Sequence, residues 1–159
     1  MDPIVAFGVA GTSARLATTA WNTGEALSAF IKNAKTVDQT LIALTAQSQA
    51  IGELCELITA LLQERRHSLD ACPKTARAHG GRQLANVMHV IQSQLAACEH
   101  TLGRLCQSTQ GIKLSNTRLT GRAWAQLKLN FSRELMMESR CQLSLHLLAL
   151  NASLQAWNM

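Results

Sequence analysis

The chain has 159 residues, of which 47% are apolar but only 4% aromatic; it has no Tyr, five Cys and a formal net charge of +5. That length suits one domain able to bury a core without metal or disulfide staples, and the shortage of β-branched and aromatic clusters argues against a strand-rich fold. An odd number of cysteines without CxxC spacing is no disulfide framework, and cysteines set in apolar helical patterns read as small buried hydrophobes in a reducing compartment.

Asp2 followed by Pro3 is a helix start, because Asp satisfies orphan N–H groups and proline fits the first helical position. A first helix is predicted over 3–35, uncharged after Asp2 as far as Arg15. Ala6, Ala10, Ala14 and Ala17 make one small-residue stripe and Gly8 with Gly11 a second, with Ile4, Phe7 and Trp21 as larger anchors. Such stripes let another helix approach closely. Asn22 to Gly24 lowers helix propensity, so a bend or break is expected there, separating an N-terminal part from the remainder.

Thr36 or Asp38 offers a cap for a second helix over 38–66, whose face carries Leu41, Leu44, Ile51, Leu54, Cys55, Ile58, Leu61 and Leu62. Ser68 to Gly81 contains Cys72-Pro73 and Gly80-Gly81 and reads as a connection. The third helix, 82–108, has the cleanest periodicity: Leu84, Val87, Met88, Ile91, Leu95, Cys98, Leu102, Leu105 and Cys106. Ser108 to Thr120 reads as a polar linker. A last helix is predicted over 120–157, with Trp124, Leu127, Phe131 and Leu135 on one stripe, then Leu143, Leu147, Leu150, Leu154 and Trp157. The expected fold is an all-α bundle of four to five helices with long antiparallel members, a single domain over 1–159.

Charge is unevenly placed. Residues 1–63 are net −2, residues 64–82 net +3, and residues 113–133 net +5 through Lys113, Arg118, Arg122, Lys128 and Arg133. No apolar run approaches the roughly 18 residues that span a bilayer, and the N-terminus lacks the basic flank of a secretory signal. A cytoplasmic location is expected, with any membrane contact peripheral or conditional.

Little here points to chemistry. His67, His79, His89, His100 and His146 are scattered without HxxxH spacing, Gly80-Gly81-Arg82 lacks the context of a phosphate loop, and the carboxylates form no isolated apolar-flanked pair. No metal, cofactor or enzymatic turnover is expected. Trp124 and Phe131 fall on the apolar stripe rather than among the basic residues, so nucleic acid is not an expected partner. The basic run 113–133 could meet anionic headgroups, at about 1 kcal/mol per residue near a charged leaflet, or serve as a solvated face.

The start Met-Asp-Pro-Ile with its small apolar first helix, and the segment Arg122-Ala-Trp-Ala-Gln-Leu-Lys-Leu-Asn-Phe leading to Leu143-Ser-Leu-His-Leu-Leu-Ala-Leu-Asn, resemble the HeLo-like N-terminal domains of fungal NOD-like (STAND) receptors. That group includes the domain named after an azaphilone pigment cluster protein. The resemblance implies the N-terminal signalling domain of a larger fungal protein, acting in programmed cell death or heterokaryon incompatibility. It implies self-association after an upstream sensor or receptor signal, then entry of the N-terminal helix into the plasma membrane. Carried onto this sequence, it makes Ile4, Val5, Phe7, Val9 and Leu16 inserting side chains and Gly8 and Gly11 close-packing positions; the basic run Lys113, Arg118, Arg122, Lys128 and Arg133, read from its charge, supplies the lipid-headgroup candidates. The rival expectation is a constitutive helical interaction or homo-oligomerisation module whose first helix never leaves the core.

Overall fold

The computed structural model describes residues 3–33, 39–70, 81–113 and 132–158, with side chains for 8–32, 39–64, 85–109 and 132–157. Four helices make up these residues: α1 Pro3–Asn33, α2 Gln39–Asp70, α3 Gly81–Lys113 and α4 Arg133–Asn158. Within them the molecule is an all-α bundle, as composition and periodicity predict.

α1 packs on α2 and α3, and α4 packs on the same two helices, which puts α1 and α4 at diagonal corners. Hydrogen bonds and close approaches fix the directions. Ser13 meets Cys55 while Gly24 lies near Gln49 and Ser48, so α1 and α2 run antiparallel. Arg104 reaches Glu138 and Thr101 reaches Gln142, so α3 and α4 also run antiparallel. Arg15 binds Glu99 while Gly8 faces Gln92, which makes α1 and α3 parallel neighbours. Two antiparallel hairpins are therefore laid side by side.

The core is one cluster drawn from all four helices, with Leu16, Leu27, Leu44, Ile51, Ile91, Leu95, Leu102, Leu105, Leu143 and Leu150 fully enclosed. On each helix these fall three, four, seven or eleven residues apart, the spacings that place side chains on one face. The stripes predicted for α2, α3 and the second half of α4 are the buried ones, with Leu54, Leu61, Val87 and Leu147 at their partly covered margins.

Three expectations are corrected. First, α1 runs without a break through Asn22 to Gly24. Thr23 is buried and its hydroxyl bonds back to the Thr19 carbonyl at 2.8 Å, and Gly24 is buried against α2, so packing outweighs the roughly 1 kcal/mol of poor glycine propensity. Second, α3 continues past Ser108 to Lys113. The Ser108 and Thr109 hydroxyls bond carbonyls three and four residues back, and Thr109 is buried, so these polar residues sit inside a helix. Third, the last helix is not continuous from 120, because Ser132 caps a new start: its Oγ accepts from the Leu135 N–H at 3.1 Å. α2 also extends to Asp70, four residues beyond expectation. Trp124, Leu127 and Phe131 lie outside the described residues, as do Cys72 and the segment 114–131.

Candidate functional site

The inner face of α1 is its best-anchored surface. Val9 and Leu16 are fully buried, Ser13 donates to the Cys55 carbonyl at 2.7 Å, and Arg15 grips Glu99 with its Nε at 2.8 Å and Nη2 at 3.1 Å. Two of the expected inserting side chains are thus core residues of the bundle; those of Ile4, Val5 and Phe7 are outside the described set. Gly8 and Gly11 are not where helices close up: a Cβ on Gly11 would meet nothing within 4 Å, and one on Gly8 would meet only Gln92 at 3.8 Å. The close approaches fall instead at Gly24 and Gly52. A Cβ on Gly52 would stand 3.1 Å from the Trp21 indole, whose Nε1 donates to Glu56 at 2.7 Å. Among the headgroup candidates Arg133 is exposed at the start of α4; Lys113 ends α3, and its side chain, with Arg118, Arg122 and Lys128, lies outside the described residues.

Burial is the main cause of the shifts in the buried titratable groups. Enclosure in the core pushes the Cys98 thiol up to about 12 and the Cys55 thiol to about 11, the latter against an opposing hydrogen bond from Ser13. Both are therefore neutral and inert as nucleophiles. His146, half-buried where α4 meets α3, is held below the ordinary imidazole value by desolvation, and its Nε2 lies 3.4 Å from the Thr101 hydroxyl. That hydroxyl also meets Gln142 Oε1 at 3.1 Å, and Gln142 Nε2 donates to Glu138 at 3.2 Å. These side chains make a polar seam along α3 and α4. Among the described residues no group of three His, Cys, Asp or Glu could hold a metal ion.

Among the described residues, the outer face of α4 packs against no other helix. Leu148 is 67% exposed, Leu145 60% and Met137 57%, the three most exposed large hydrophobic side chains described. Cys141 is exposed between them and Ala152 beyond them. The spacing Met137, Cys141, Leu145, Leu148, Ala152 is four, four, three, four, which keeps all five on one stripe opposite the buried Leu143 and Leu150. From Cys141 to Asn158 the helix carries no Asp, Glu, Lys or Arg. Reading the last helix for its core stripe located Leu143 and Leu150 but passed over this second stripe. Its signal was the charge-free run with leucines at both 143/147/150 and 145/148.

Comparison with protein-family models, curated proteins and solved structures finds no match. Among the described residues no helix is long and apolar enough to cross a membrane.

Proposed function

We propose that this chain is a helical self-association module whose binding face is the exterior of α4, with a second copy as partner. The observation that carries this reading is the stripe of exposed Met137, Leu145 and Leu148, the two leucines of which lie in the part of α4 that holds no charge, residues 141–158. A single exposed leucine is ordinary on a protein surface, but an aligned set is the pattern of a helix seam. Ser144, Ala149 and Asn151 flank its 145–152 part, so two copies can meet there without burying a charge. Light scattering over a concentration series tests this. The wild-type mass should rise toward that of a dimer, and Leu145→Glu with Leu148→Glu should hold it at the monomer with an unchanged melting temperature. A wild type that stays monomeric throughout, or a double variant that associates equally well, overturns the reading.

A second reading, a HeLo-like signalling domain that directs its N-terminal helix into anionic membranes, draws on the small outward face of α1. There Gly8, Gly11 and Ala14 are exposed and the two glycines are not required by internal packing. It requires Val9 and Leu16 to leave the core, which costs about 1.5–3 kcal/mol for each side chain re-exposed, so a trigger must supply that energy. Vesicle leakage that needs anionic lipid and vanishes on deleting residues 1–16 supports it; leakage that survives the deletion sinks it.

A further inference from the structure

Resting on the self-association reading, we infer that two copies pair through α4 in an antiparallel, two-fold arrangement centred between Ser144 and Leu145. Four of the five stripe residues are symmetric about that point, and the fifth, Leu145, lies next to it. Inverting one helix there sets Met137 against the partner's Ala152 and Cys141 against the partner's Leu148, large opposite small, with the two Leu145 side chains meeting near the axis.

Charge decides the direction. All four charged residues of α4, Arg133, Glu134, Glu138 and Arg140, lie in its first eight positions. A parallel pair places each beside its own copy, Glu138 against Glu138 and Arg140 against Arg140, and like charges face to face oppose pairing. Reversal carries them over residues 149–156 of the second copy, which are uncharged. Glu138 keeps its internal partners in this arrangement, Arg104 at 3.5 Å and Gln142 at 3.2 Å.

Size sets the strength. The seam from Met137 to Ala152 is about 22 Å long and a helix roughly 10 Å wide, so each copy buries well under the ~800 Å² of a standard interface. The pair is therefore weak and exchanges readily.

Oxidative cross-linking of the full chain distinguishes the arrangements, with linked cysteines identified by peptide mapping. In the antiparallel pair two Cys141 side chains are separated by about 10 Å along the axis, outside disulfide reach, whereas positions 145 adjoin. Leu145→Cys in a Cys141→Ser background should link through position 145 at least about tenfold faster than wild type links through Cys141. Wild type that links through Cys141 as fast as the variant links through position 145 shows a parallel pair, in which both positions adjoin their own copies, and overturns this inference while leaving self-association intact. A chain that links through neither position and stays monomeric overturns both. In that case protection of Cys141 from alkylation would show coverage by residues 114–131 of the same chain, and binding to neutral or anionic vesicles would show a lipid surface.

Discussion

The Trp21 indole lies over Gly52, with its Nε1 and Cε2 3.1 Å from where a Cβ would stand, while the same Nε1 donates to Glu56 one turn further along α2. Glycine lets the ring drop onto the α2 backbone, and the carboxylate holds it there. α1 and α2 are joined by this clamp at a point where the helices would otherwise be spaced by side chains.

The two kinds of helical glycine should respond oppositely. Gly52→Ala gains about 1 kcal/mol of helix propensity but must displace an aromatic ring held by Glu56 at the very edge that meets the new Cβ, an overpacking cost of about 1–3 kcal/mol. The net effect expected is a loss of stability. Gly11→Ala meets open space in a helix interior and should stabilise by about 0.5–1 kcal/mol. Chemical denaturation of both variants checks the pair; a stabilised Gly52→Ala would mean that the indole is not confined.

Ser48 is fully buried, and its hydroxyl has no hydrogen-bond partner among the described residues. Removing a buried polar atom that makes no bond relieves its desolvation cost. Ser48→Ala is expected to stabilise by up to about 1 kcal/mol. By contrast, Ser13→Ala should cost about 1 kcal/mol, because the Cys55 carbonyl loses a buried donor. Urea midpoints of the two variants should move in opposite directions.

Acid and alkali should each find a group. His146 is shifted below its ordinary value of 6.5 in the folded chain, so its contribution to stability is present above that pH. It is lost as pH falls through the folded value. Cys55 and Cys98 are shifted upward from 9.0 to about 11 and about 12, so their contribution is complete below pH 9 and is lost as pH rises through those values. His146→Gln should flatten the acid limb of a stability-against-pH curve and leave the alkaline limb alone. An acid limb that is unchanged in that variant contradicts the assignment.

The fold was readable wherever a single apolar face recurred at helical spacing. α3 shows why: Met88, Ile91, Leu95, Cys98, Leu102 and Leu105 are all buried, and few exposed apolar residues compete with them. Local propensity misled at Asn22 to Gly24 and at Ser108 to Lys113, where tertiary packing and side-chain bonds to the backbone keep weak helix formers helical. The Ser132 cap was hidden because the apolar stripe runs on across it. The α4 face escaped notice for a different reason: leucines occur on both sides of that helix, and only the three-dimensional packing tells which stripe is enclosed. Trp21 was recognised as an anchor, but its seat on Gly52 depends on the register between two helices.

The most direct measurement is the alkylation rate of Cys141 in the unmodified chain as a function of protein concentration, read peptide by peptide. Cys141 sits on the exposed stripe, whereas Cys55 and Cys98 are enclosed and protonated. If α4 is the self-association face, modification of Cys141 slows as concentration rises, with Cys55 and Cys98 unreactive throughout. A Cys141 rate that does not change with concentration would contradict the proposal that copies of this chain meet through α4.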